Sequence, residues 1–151
     1  MLTLHRTDKT NTDFQHLVKL LDADLAVRDG ADHAFYAPFN TSVNLQAVVV
    51  AYENNQPVGC GAFKAFGESQ VEIKRMYVLP DFRGRGIALH ILQELETWAK
   101  ESGYTTAVLE TGQKQPEAIR LYQKAGYHII PNFGPYVNVK NSVCMEKQLL
   151  T

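Results

Sequence analysis

The sequence predicts an α/β fold, a mixed and mostly antiparallel sheet of six or seven strands flanked by helices. Three observations predict it. β-type runs at 45–53, 58–66 and 71–78 follow one another across short polar turns. Apolar residues recur at helical spacing on both sides of that block. From residue 87 onward, helical and strand patterns alternate. The 151 residues suit a single domain, 1–151, large enough to hold a core without staples.

The elements follow in order. Residues 2–6 alternate and read as an edge strand. Asn11, Thr12 and Asp13 are cap-type residues, and Phe14, Leu17, Val18, Leu21 and Leu25 then trace an amphipathic helix ending near Gly30. Residues 31–44 are less regular and read as a short helix or loop whose aromatic and polar groups suit either a substrate wall or a cap on the core. Residues 45–53 and 58–66 flank an Asn-Asn-Gln-Pro turn and form a hairpin, and 71–78 completes a meander. Ala88, Ile91, Leu92, Leu95 and Ala99 define a helix from Ile87 that Gly103 closes. Residues 105–110 form a strand. Pro116–Lys124 is a helix with proline in its first turn and Gly126 after its end. Residues 127–130 and 142–149 are the last strands, giving the order β-α-(α)-β-β-β-α-β-α-β-β.

Composition removes several function classes. Hydrophobic residues at 45% and charged residues at 21% exclude a disordered or collagen-like chain. No apolar run reaches the ~18 residues of a membrane span. His5, Arg6 and Asp8 interrupt the start, so it does not read as a signal peptide. A net charge of −1 gives no bulk attraction to nucleic acid. Cys60 and Cys144 have neither metal nor disulfide spacing, so reduced thiols in a cytoplasm are expected.

The chemistry concentrates in 71–89, VEIKRMYVLPDFRGRGIAL. A strand runs through Pro80 into Arg83-Gly84-Arg85-Gly86 and then a long helix. Glycines at such a junction let backbone N–H groups close on an anion, and the helix N-terminus adds free donors and partial positive charge. Arg83 and Arg85 add full charges suited to phosphate oxygens. A P-loop is excluded, because G-x-x-x-x-G-K-[ST] is absent. A Rossmann turn fits Gly84 and Gly86 but meets Leu89 at its third position; Glu110 keeps it open as a weak rival.

Arg83-Gly84-Arg85-Gly86-Ile87-Ala88 fits R/Q-x-x-G-x-G/A, and PEAIRLYQKAGY at 116–127 resembles A-x-x-L-Y-x-x-x-G-F/Y. Together, one helix and one strand apart, they resemble the GNAT superfamily of N-acetyltransferases across nearly the whole chain. LETGQKQPEAIRLY, GPY and CMEKQL resemble a bacterial-type subgroup without an assigned substrate.

The resemblance implies the GNAT acyl-CoA N-acyltransferase fold, with acetyl-CoA as co-substrate and no metal. It implies that the strand before the first motif splays from the next, with the pantetheine arm in the opening, and that a bulge in that strand upsets simple alternation. Met76, Tyr77 and Val78 match the residues whose backbone pairs with that arm. An N–H at Met76 would stabilise an oxyanion, a role worth ~2.7–4 kcal/mol. Arg83, Gly84, Arg85, Gly86, Ile87, Ala88 and Leu89 match the pyrophosphate loop. Gln115 stands where many relatives carry Asn. Tyr122 matches the tyrosine that protonates the leaving thiolate.

An amine acceptor of pKa ~10.4 must lose a proton at a cost of roughly 4.6 kcal/mol at pH 7. Glu72, eleven residues before Arg83, matches the spacing of the glutamate base in the histone-acetylating branch; pairing with Lys74 is its rival role. Arg75 and Lys74 could meet an acidic substrate group or be salt-bridged. Arg28, His33 and Tyr36 are expected on the substrate side from their position. Strand cysteines are usually inert core residues. The expected activity is direct acetyl transfer in a ternary complex to a primary amine of a small molecule or peptide, by a cytoplasmic monomer or homodimer. A non-catalytic acyl-CoA-binding sensor or interaction module of the same fold is the alternative.

Overall fold

The computed structural model describes residues 1–30 and 44–149. Among them, seven strands form one sheet in the order β1-β2-β3-β4-β5-β7-β6. The strands are β1 (Leu2–Thr7), β2 (Ala47–Glu53), β3 (Gln56–Gly67), β4 (Gln70–Val78), β5 (Thr106–Gly112), β6 (His128–Ile130) and β7 (Ser142–Gln148). The described helices are α1 (Thr12–Asp29), α2 (Ile87–Glu101) and α3 (Pro116–Lys124). Every strand pair is antiparallel except β4 with β5. No described helix is long and apolar enough to cross a membrane.

Both faces of the central sheet are covered, and β2 shows why its sequence is a continuous apolar run. Val48 and Val50 face α1 with Phe14, Leu17, Cys60 and Ala62. Ala47, Val49 and Ala51 face α2 with Ile91, Leu92 and Leu95. Alternation by two delivers one apolar set to each layer. Full burial of a side chain such as Leu17 or Ile91 contributes about 1.5–3 kcal/mol. The start of α1 is fixed by Asn11, whose side-chain oxygen accepts from the Phe14 N–H at 2.9 Å.

The boundaries differ most from the sequence reading at the first hairpin and at the end of β5. The first hairpin turns on Asn54 and Asn55 alone, both at positive φ (52° and 70°), the backbone a two-residue type I′ turn requires. Gln56 and Pro57 therefore belong to β3, with Pro57 near its start. β5 runs on to Gly112, since β7 supplies seven consecutive partners from Thr106↔Gln148 to Gly112↔Ser142.

The decisive irregularity lies in β4. Its register with β3 jumps from Cys60↔Tyr77 to Ala62↔Lys74, so Gly61 opposes both Arg75 and Met76. Arg75 takes φ 59° there. The bulge reverses the faces beyond it. Met76 and Val78 pack toward α2, whereas Arg75 and Tyr77 point toward α1. Gly61 makes room, because a Cβ would strike the Met76 sulfur and lie 2.9 Å from both Ile91 Cγ2 and Leu95 Cδ1.

Gly61→Ala should therefore lower stability by about 1–3 kcal/mol. Urea denaturation reads this directly, and an unchanged midpoint would contradict the packing described.

Candidate functional site

β4 and β5 are paired only from Gln70↔Thr106 to Glu72↔Val108. Beyond those pairs they part, each held from outside, β4 by β3 and β5 by β7. The Leu79 N–H donates to Val58 O at 2.8 Å. Alternation from that bond turns the N–H groups of Met76 and Val78 away from β3, into the opening. Two cavities meet there, sharing Leu21, Met76, Gln115, Ala118 and Tyr122 as walls.

The larger cavity, about 360 Å³, runs from the opening to the start of α2. Met76, Tyr77, Val78, Arg83, Gly84 and Gly86 through Leu89 line it, with Arg28 and Gln115. Gly84 and Gly86 sit at φ 80° and 79°, a region that side-chain-bearing residues avoid. A Cβ at Gly84 would have no atom within 4 Å, so its backbone conformation, not its space, calls for glycine. No side chain caps α2, and its first N–H groups have no acceptor within the helix. This turn is an open cradle of donors that fits a diphosphate.

The arginines of the turn are held locally. Arg83 Nε donates to Val78 O at 2.9 Å, and its guanidinium lies 5.5 Å from the Tyr77 ring and 4.0 Å from Asp24. Arg85 donates to Asp81 O and lies over the Phe82 ring. Arg28 pairs with Asp24 and with Glu117 of α3, so it stands at the larger cavity.

The smaller cavity, about 120 Å³, lies on the other side of Tyr122. Glu72, Lys74, Arg75 and Glu110 line it, with Tyr136. Glu72 is buried between Lys74 (3.6 Å) and Lys64 (3.8 Å), so the ion-pair role foreseen for it is present. Burial draws the Lys74 ammonium below the usual lysine range, and Glu72 opposes this. Arg75 donates to Asp22 Oδ1 at 2.5 Å. Tyr122 is buried against Tyr127, ring centroids 5.9 Å apart. Burial, then the Glu110 charge, pushes its phenol well above the usual range. Burial pushes the Cys60 thiol up to about 12 and the Cys144 thiol up to about 11, so both stay protonated at neutral pH.

The structure thus brings Glu72, Arg75, Met76, Tyr77, Val78, Arg83, Gly84, Gly86 through Leu89, Gln115 and Tyr122 around one opening, with Arg28 at its edge; Arg85 lines neither cavity and turns back to Asp81 and Phe82. His33 and Tyr36 lie outside the described residues. Sequence reasoning missed Asp22, Asp24, Glu117 and Tyr136. Each arrives from a distant segment. Only the Asp24–Arg28 spacing of four residues gave a local signal. Among the described residues, no cluster of His, Cys, Asp and Glu could hold a metal ion.

The family model for the Acetyltransferase (GNAT) family matches residues 14–127. The chain is 39% identical over 102 residues to "IAA acetyltransferase" of Azospirillum brasilense, covering 67% of each chain. A Klebsiella pneumoniae structure, described provisionally as an acyl-CoA N-acyltransferase, superposes with TM-score 0.82 at 30% identity over 99% of both chains. The fold is also that of an N-acetyltransferase from Thermoplasma acidophilum solved with coenzyme A, at TM-score 0.70 and 14% identity over 98% of this chain and 99% of that one. The chain belongs to the GNAT family. It is an acetyl-CoA-dependent acyltransferase.

Gly84→Glu or Gly86→Glu should weaken acetyl-CoA binding by at least about tenfold, since each forces a side chain and a carboxylate into the left-handed turn. Calorimetry measures this. Unaltered affinity in both variants would remove the turn from the binding site.

Proposed function

We propose that this chain transfers the acetyl group of acetyl-CoA directly to a primary amine of a small molecule or peptide. The observation that carries this reading is the meeting of two cavities at Met76 and Tyr122. One cavity ends on the donor-rich turn and the other on titratable side chains. A thioester held in the first then faces an amine held in the second, and proximity supplies much of the rate. The 151 residues act as one catalytic domain, and the two buried free thiols suit a reducing cytoplasm.

The residues divide the work. Backbone N–H groups of the 84–89 turn hold the diphosphate, and Arg85 adds charge. The N–H groups of Met76 and Val78 align the arm, and that of Met76 faces the thioester oxygen, where a fixed donor favours developing negative charge. Gln115 opens α3 without capping it and so leaves its side chain for the ligand wall. Glu72 accepts the proton that the amine loses as its nitrogen bonds to the acetyl carbon. Its charge is supported by Lys64 and Lys74. Tyr122 gives its proton to the sulfur as the carbon–sulfur bond breaks, and solvent returns one. Burial keeps that phenol protonated, which an acid requires.

Two outcomes follow. Tyr122→Phe should lower kcat by about 10²–10⁴-fold, while calorimetry finds acetyl-CoA affinity essentially unchanged. Loss of affinity with kcat intact would reverse that assignment. The pH profile of kcat/KM should rise as the amine deprotonates and show no falling limb up to about pH 10, where an ordinary tyrosine ionises. A limb falling well below that value would show that the acid is another group.

A further inference from the structure

We propose that the acceptor carries a carboxylate beside its amine, and that Arg75 recognises that carboxylate. This names the acceptor class within the acetyl-transfer reading and rests on it.

The observation is an orphaned donor. The Arg75 side chain is only 2% exposed, yet its Nε has no hydrogen-bond acceptor. A buried guanidinium normally has its donors met, because an unmet one forfeits the hydrogen bonds that water gave it. Here one terminal nitrogen is met by Asp22 of α1, a carboxylate that is itself half exposed. The Nε remains, on a side chain that lines the smaller cavity. The bulge puts it there: without the extra residue in β4, alternation would turn Arg75 toward α2 and the core. A planar guanidinium with one edge donor unmatched suits the oxygen of a carboxylate, which takes such donors in a fixed geometry.

The rest of the cavity narrows the class. Glu72, Lys74, Arg75 and Glu110 line it, two charges of each sign. Lys64 and Asp22 pair with Glu72 and Arg75 from its edge and keep the balance. A polycation would want a net negative wall, and a dianion a net positive one. A wall whose charges balance fits a molecule that is itself an ammonium and a carboxylate. In that orientation the carboxylate meets Arg75 and the amine lies on the side of Glu72 and Glu110. A free amino acid has this chemistry.

The test uses the purified full chain, acetyl-CoA, and the common amino acids, each beside its α-amide and its decarboxylated amine. Release of free thiol is the readout. At least one amino acid should be used about 10- to 100-fold better in kcat/KM than its amide and its amine, the range of a charge-assisted hydrogen bond. Arg75→Gln should collapse that ratio to near one, and Arg75→Lys should restore part of it. Calorimetry gives a second readout, in which the preferred amino acid binds the desulfo-CoA complex about tenfold or more weaker after Arg75→Gln. If that variant fails to fold, the ratio in the unaltered protein decides alone. Amides or amines used as well as amino acids would overturn the proposal, as would a ratio that survives in Arg75→Gln, or no amino acid used at all. Acetyl-CoA affinity on the same samples separates the two levels. Binding without amino-acid use overturns the acceptor class only, whereas no binding overturns the transferase reading beneath it.

Discussion

Everything at the site depends on two parallel strands that begin to pair and then stop. After Glu72↔Val108 the ladder between β4 and β5 ends, although both strands continue. Neither can close the gap, because each is fastened on its other side. β5 has seven partners in β7. β4 is tied to β3, where Gly59 and Gly61 let α2 press close to the sheet. Backbone polar groups left in such a gap demand partners. An extended ligand with amide groups of its own would supply them, and a break in a sheet would then serve as a binding site.

The bulge at Arg75 extends the same logic to side chains. One extra residue holds Arg75 at φ 59°, in a region that is strained for a residue with a side chain. In return Met76 joins the core over Gly61, and Arg75 joins Lys74 at the smaller cavity. Charges on the cofactor side are arranged differently. Arg83, Asp24, Arg28 and Glu117 form a chain of ion pairs from the turn across α1 to α3. All of these groups are partly exposed, and exposed pairs contribute about 0–1 kcal/mol each. Such pairs oppose an incoming anion only weakly, and the arginines they hold are those nearest to where its charge would sit.

Much of this was legible in the sequence. Helix α2 announced itself through Ile91, Leu92, Leu95 and Ala99, and its start through Gly84 and Gly86. Tyr122 was legible from its motif, and the structure buries it between the two cavities. What stayed hidden was non-local. Letters cannot show that Asp22 of α1 reaches Arg75 of β4, or that Glu117 of α3 reaches Arg28 of α1. The two-residue turn was hidden for another reason: Asn54-Asn55-Gln56-Pro57 is all turn-type or polar, and only strand twist selects the first two. Glu72 shows the limit of spacing arguments. Its position and its pairing with Lys74 were foreseen, but its second partner, Lys64, comes from the register of β3 with β4.

On the proposed reading, the parted strands and the turn before α2 together hold acetyl-CoA. Amide chemical shifts of ¹⁵N-labelled protein, followed as acetyl-CoA is added, test it most directly. The largest changes are expected at Met76 to Val78 and at residues 84–89, with Tyr122 following. Changes concentrated elsewhere, with those amides undisturbed at saturation, would contradict it.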